Sequence, residues 1–273
     1  MEPKDYDDQL DTLISTFIKI GNSMAKKPNP LSDNSLLYSE GLGRKVLHHA
    51  ISIRHLYKGV RLITNDGAFT PQIDFASICI LTRAALETYL AFNYIYIAPS
   101  NPKESYCKFL FWDLSGYIER SKYLPKSDDH QKLKDQEEQM ILKLTDEIKN
   151  EPYFQNLTSK MQRLALNGKW RLDQTWSKLA VKSGFSETFF NQQYSFLCGY
   201  AHSGRVSVMQ IMVTKELEKQ WEMAQASIGV LMVVLAKTTY DYVNLIPGIK
   251  SHIDTSSEEC NVITRWKTIG ENL

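Results

Sequence analysis

The sequence predicts an all-α protein, a multi-helix bundle with a buried central helix at about 71–98 and a charged peripheral helix at about 126–150. Apolar residues recur at spacings of three and four along nearly the whole chain, the signature of amphipathic helices. Strand-like alternation is scarce, which argues against sheet-based architectures. The stretch from Ile73 to Ile97 is apolar on most faces, as befits a helix covered on all sides.

Leu10, Leu13, Ile14, Phe17 and Ile18 mark an N-terminal helix within residues 1–30, packing on a main helical domain at 31–246. Lys26-Lys27-Pro28-Asn29-Pro30 ends it, because proline cannot continue a helix. A second helix covers about Ser35–Ile63, with Val46, Leu47, Ala50, Ile51 and Leu56 apolar, and Asn65-Asp66-Gly67 signals a turn. In the central helix Thr70 is the expected N-cap and Pro71 the first helical residue, and Pro99 stops it after Ala98. The next helix, Glu104–Tyr123, is rich in aromatic residues: Phe109, Phe111, Trp112 and Tyr117. Lys126–Asn150 is strongly charged, with Leu133, Met140, Ile141, Leu144 and Ile148 as its apolar stripe; it reads as a solvated surface helix or a hairpin arm.

Pro152–Leu166 is a shorter helix that Asn167-Gly168 breaks, and Ser183-Gly184 divides Thr175–Lys182 from Ser186–His202. Val206–Val213 is dense in β-branched residues and reads either as a short extended stretch or as the lead-in to the last long helix. That helix covers about Thr214–Leu245 and stops before Pro247-Gly248, leaving residues 247–273 as a tail with one short helix, Ser257–Lys267.

With 43% hydrophobic and 23% charged residues the chain is an ordinary globular protein, and a net charge of +1 gives no global field to steer nucleic acid. Cys79, Cys107, Cys198 and Cys260 are far apart and form no CxxC, so they are expected as reduced structural thiols. The acidic start, Met1-Glu-Pro-Lys-Asp-Tyr-Asp-Asp, lacks the basic and apolar regions of a signal peptide. Ile73–Ile97 is long enough to span a membrane but would place Arg83 and Glu87 at its centre, and the run Ile228–Ala236 is too short. The expectation is a cytoplasmic protein without membrane contact.

Arg83 and Glu87 are the main candidates for chemistry. Four residues apart, they share one helix face with Ile80, Leu90 and Tyr94, which reads as a core-facing stripe. Buried charges are costly unless paired or used. In Ser186–His202, a helical projection puts Asn191, Ser195, Gly199 and His202 on one small, polar strip, with Phe190, Tyr194, Leu197 and Ala201 mainly opposite. Such a strip allows close approach by another helix or a ligand. His202 lies in the last turn, where the helix dipole favours an imidazolium. Arg83 as anion stabiliser, Glu87 as its orienter and His202 as acid–base group make a compact catalytic set, with Tyr194, Ser195 and Asn191 as binding residues. Lys169 and Arg171 join them from the basic stretch Lys160–Lys182, where Trp170 and Trp176 interleave with cations as in binders of single-stranded nucleic acid. The other reading of that stretch is an amphipathic surface with its tryptophans packed inward. No Glu-x-x-His occurs, and Glu40, His48, His49 and His55 have no spacing that marks a complete metal site, so neither metal nor cofactor is expected.

Arg83-Ala-Ala-Leu-Glu87-Thr-Tyr, followed by Tyr194-Ser-Phe-Leu-Cys-Gly-Tyr-Ala-His202-Ser, resembles bacterial all-helical families of unknown function that share an Arg-x-x-x-Glu helix and a later helix ending in histidine. The resemblance covers roughly residues 40–245. Those families are distantly similar to HEPN domains, helical modules of toxin–antitoxin and phage-defence systems, many of them metal-independent ribonucleases acting as dimers. The resemblance implies RNA or a nucleotide as partner and a homodimer. The HEPN signature is an arginine followed by a histidine with four to six residues between them; here Arg205 instead follows His202, and the stretch that fits is Arg44-Lys-Val-Leu-His48-His49, with four residues between Arg44 and His49. Two functions stay open: a HEPN-like protein acting on RNA or a nucleotide through the Arg–Glu–His site, and a non-enzymatic binding or dimerisation module in which the same cluster is a structural polar core.

Overall fold

The fold is all-α, and the elements can be followed in a computed structural model that describes residues 3–25, 34–60, 63–64, 67–68, 71–246 and 257–272. The helices are α1 (Pro3–Ala25), α2 (Asn34–Tyr57), α3 (Phe75–Phe92), α4 (Pro102–Arg120), α5 (Asp128–Asn150), α6 (Pro152–Gln155), α7 (Ser159–Leu166), α8 (Trp176–Lys182), α9 (Glu187–Ala201), α10 (Arg205–Val213), α11 (Leu217–Leu245) and α12 (Glu258–Asn272). Among the described residues the only ladder is a minute antiparallel hairpin of β1 (Ile63–Thr64) and β2 (Gly67–Ala68), with Ile63 opposite Ala68. The prolines at 28 and 30, Thr70, Asn65-Asp66 and Pro247-Gly248 lie outside the described residues.

Two compact units divide the chain, residues 1–93 with 180–273 and residues 94–179. In the first, α3 packs between α2 and α11, and α12 lies along α11 with α1 beside both. Helix α3 starts later than the proline suggests. Gln72 pairs with Val60 through two backbone bonds (2.8 and 3.2 Å), so the chain is still extended after Pro71. Ile73 then gives its N–H to Gln220 Oε1 (2.8 Å), and Asp74 caps the helix by accepting from Ser77 N (2.9 Å). At its far end α3 widens into a π-helical turn, Asn93–Ile97, just before Pro99.

Helix α11 is buried without interruption from Val230 to Thr239. Its polar members are satisfied locally: Thr238 and Thr239 donate to the carbonyls of Val234 and Leu235 (2.7 Å each). Lys237 reaches Glu271 of α12 at 3.2 Å, and burial holds its ammonium below the ordinary lysine range. Asp241 accepts from Tyr89 (2.9 Å) and Asn93 (3.2 Å), and burial pushes its carboxyl up. The terminal helix runs on to Asn272, beyond the expected Lys267, and buries Val262, Ile263 and Trp266. It comes so close to α11 that a Cβ on Gly270 would lie 2.3 Å from Val233 Cγ1. Phe75–Ile97 and Leu217–Leu245 are long and apolar enough to cross a membrane by length and composition, yet 61% and 72% of their most apolar windows are buried inside the fold.

In the second unit α4 packs on α5, α6 and α7. Helix α5 is one continuous helix capped by Ser127 and buries only Glu137, Leu144 and Ile148. Leu133, expected on its apolar stripe, is exposed. The expected single helix over Pro152–Leu166 is two, because Thr158 restarts it by capping Met161 N (3.4 Å). Lys108 is buried against the Tyr94 ring (4.4 Å) and pairs with Glu104 at 2.8 Å.

Candidate functional site

Arg83 and Glu87 sit one turn apart on α3, joined by an Nε–H to Oε1 bond of 2.9 Å. Their face is not core-facing as expected. Ile80 is 42% exposed, and the Arg83 and Glu87 side chains are 19% and 26% exposed, although Leu90 and Tyr94 further along are buried. The pair occupies a rim where α9 crosses α3, half shielded from water.

Helix α9 starts at the N-cap Ser186, which accepts from Phe189 N, and brings two side chains to the pair. Tyr194 donates its hydroxyl proton to Glu87 Oε1 (2.6 Å) and receives Arg83 Nη2 at 3.4 Å, while the guanidinium lies 5.4 Å from its ring centre. Stacking on Phe190 (5.0 Å between centroids) fixes the ring. Burial and the neighbouring Glu87 carboxylate keep the phenol protonated well above its ordinary range. Partial burial works against charge on Arg83, but its bonds to Tyr194 and Glu87 outweigh that and raise its pKa.

His202 is the C-cap residue of α9, and its Nε2 lies 3.0 Å from Arg83 Nη1. Arginine has no acceptor, so the ring nitrogen accepts and the imidazole proton resides on Nδ1. A hydrogen bond from Arg83 requires Nε2 as acceptor, since an N–H there would face the guanidinium donor to donor. The backbone beyond it closes a Schellman motif: Ser203 N bonds Tyr200 O (3.5 Å) and Gly204 N bonds Gly199 O (2.7 Å). Ser203 adopts the left-handed conformation (φ 52°). Gly204 is required by closeness, since a Cβ there would stand 3.1 Å from Gly199 O.

The structure thus brings together Arg83, Glu87, Tyr194 and His202, and not Asn191 or Ser195. Asn191 and Ser195 are exposed, and a Cβ on Gly199 would meet nothing within 4 Å, so of the small polar strip only its end, His202, turns to another helix. Lys169 and Arg171 belong to the other compact unit. There Arg171 lies over the Trp176 ring at 4.1 Å and near Trp170 at 5.7 Å, and the two indoles meet edge to face at 6.2 Å. The tryptophans thus engage each other and the arginine. Arg44 and His49 do not meet as a pair: five residues apart on α2 they point about 140° from one another. Arg44 bonds Glu40 (2.5 Å), while His49 Nε2 is buried with no partner and burial lowers its pKa.

Tyr194 was placed opposite the strip by projection, but its role as the hydroxyl bridging both charges came only with the structure. The signal was its spacing of eight from His202, which leaves the two about 80° apart on α9. Val206–Val213, read as extended or as a lead-in, is a separate helix, α10, launched by Gly204. Among the described residues no group of three or more His, Cys, Asp or Glu side chains is placed to hold a metal ion. What the cluster offers is a cation with part of its donor fork unspent, beside a ring nitrogen that carries no proton.

No curated protein and no solved structure matches the chain. A family model does, over residues 45–220, a span that contains Arg83, Glu87, Tyr194 and His202. The chain belongs to that family, a family of unknown function (DUF5677).

Proposed function

We propose that the Arg83–Glu87–Tyr194–His202 cluster binds a phosphate of RNA or of a nucleotide and acts on it by proton transfer. The observation that carries this reading is the 3.0 Å contact of Arg83 Nη1 with the unprotonated Nε2 of His202. A phosphate oxygen drawn to the guanidinium competes for that N–H. Once Nη1 turns to the phosphate, Nε2 loses its donor and is free to take a proton from an attacking hydroxyl. As the hydroxyl oxygen bonds to phosphorus, the imidazolium returns the proton to the oxygen whose P–O bond breaks; Arg83 stabilises the negative charge on the phosphoryl oxygens, and Glu87 with Tyr194 keeps the guanidinium aimed. The half-shielded rim leaves room for a substrate to reach both groups. On this reading the protein works in a defence or toxin–antitoxin setting, the expectation that its sequence resemblance carries.

The test uses a short single-stranded RNA and ATP, with binding followed by calorimetry and turnover by product analysis. His202→Ala should bind with little change and lose turnover by about 100-fold or more. Arg83→Ala should weaken binding about tenfold or more, with an affinity that no longer falls as steeply with salt. A His202→Ala protein as active as the parent would defeat the proposal.

One observation favours a second reading, a binding or dimerising module with a structural polar core: Arg83, Glu87 and Tyr194 satisfy one another and tie α3 to α9. On that reading Arg83→Ala lowers the melting temperature and there is no phosphate affinity to lose.

A further inference from the structure

Helix α10 has its polarity reversed. The residues it turns inward are Ser207, which is buried and donates to Gly204 O (2.7 Å) or Gly199 O (3.0 Å), and Gln210, which accepts from Tyr200 Oη (2.7 Å). Those it turns to solvent are Val206, Val208, Met209, Ile211, Met212 and Val213, between 45% and 73% exposed. Leu217 and Trp221 at the start of α11 extend the surface, at 39% and 40%. A helix that belongs only to its own fold does the opposite. Monomeric proteins seldom leave more than a few hundred Å² of contiguous apolar patch. Here six apolar side chains of α10 and two of α11 are exposed together.

We propose that this face is covered by a second copy of the chain, in a two-fold dimer that packs α10 against α10. Two features favour a copy over other occupants. First, the patch is a ridge beside a groove: Ile211 and Met212 border a cleft of about 810 Å³ with Val60 on its rim and Ile73 and Phe75 lining it. A two-fold axis sets the ridge of each copy into the groove of the other, which is the self-complementarity an isologous interface needs. Second, the rim carries charges of both signs. Arg205 stands at one end, and Lys215, Glu216, Glu218 and Lys219 are exposed at the other. Glu216 and Lys219 are already paired at 3.6 Å. An interfacial membrane helix carries a marked excess of lysine and arginine on its polar side; this rim sets two acidic residues against three basic ones, and antiparallel α10 helices would set Arg205 beside the partner's Glu218. The inference rests on α10 alone and not on the phosphate reading.

The experiment is the solution mass of the full chain by light scattering after size exclusion, from about 1 to 100 μM, a range that spans the dissociation constants of ordinary transient and stable dimers. The parent should run at twice its chain mass of 31.4 kDa. Met212→Glu and, separately, Val213→Glu should return it to 31.4 kDa with the helical circular dichroism of the parent, because neither side chain packs within its own fold. Arg83→Ala should leave the mass at the dimer value, which separates this inference from the phosphate site. A parent that stays monomeric at 100 μM overturns the proposal. So does a dimer that survives both glutamates, or a monomeric parent that floats with phosphatidylglycerol vesicles.

Discussion

Replacing Gly270 by alanine adds one methyl group where the fold has no room for it. The new Cβ would stand 2.3 Å from Val233 Cγ1 and 3.6 Å from Phe185 Cε1. The first distance is more than 1 Å inside ordinary carbon–carbon contact, which begins near 3.5 Å. Val233 is fully buried on α11, and β-branching leaves its side chain few rotamers in a helix, so it cannot swing aside. Either α12 lifts off α11 or the valine leaves its rotamer; overpacking of this kind costs about 1–3 kcal/mol. Against that, alanine is favoured over glycine in a helix interior by about 1 kcal/mol, and less in a final turn such as this. The net expectation is a loss of about 1–2 kcal/mol, read as a drop of roughly 2–6 °C in melting temperature and a matching fall in the urea midpoint. Val233→Ala alone should also destabilise, through lost burial. The double variant Gly270→Ala/Val233→Ala should lose less than the sum of the two, because the second change vacates the space the first one fills. A Gly270→Ala protein that melts at or above the parent would show that α12 does not approach α11 as described.

Tyr194→Phe keeps the stack on Phe190 but removes the hydroxyl shared by Arg83 and Glu87; the loss should be about 1 kcal/mol, discounted for partial exposure, and much smaller in a Glu87→Gln background, measured by denaturation. His49→Leu should stabilise by about 1 kcal/mol near neutrality, since it replaces a buried ring nitrogen that has no partner. The gain should widen on acidification. Burial depresses the folded pKa of His49, so the unfolded chain takes up the proton first. Parent stability is therefore lost as pH falls through the ordinary histidine value and levels off below the depressed one. A stability difference that stays flat from pH 8 to pH 5 would contradict this. Ser203→Gly should raise stability by up to about 1 kcal/mol by relieving a left-handed serine, with no change of fold by circular dichroism.

The sequence was informative where local rules decide. A helix starting near Ser186, Pro99 as a stop and the all-helical pattern follow from side chains within one or two turns of each other, and the structure agrees. It misled where a distant partner intervened. Thr70-Pro71 has the chemistry of a helix start, but Val60 and Gln220 hold residues 72 and 73 extended, and the cap falls to Asp74. The β-branched run from Val206 suggested an extended segment, yet intrinsic strand preference is weak away from a sheet, and the Schellman turn before it re-aims the chain into a helix. At the site, the four-residue spacing of Arg83 and Glu87 predicts their pairing directly. That Tyr194 and His202 reach them depends on how α9 crosses α3, which no local pattern in either helix encodes.

Only Ser203 and Gly204 separate His202 from Arg205, and every backbone donor in that segment is spent on the end of α9. The connection therefore has no slack. An inserted residue here would not be absorbed as in an ordinary surface loop; it would rotate α10 about the cap or pull the imidazole off Arg83. The same stiffness works as a lever arm. A shift of α10 is passed through the cap to the backbone of His202, and with it to the ring that meets Arg83.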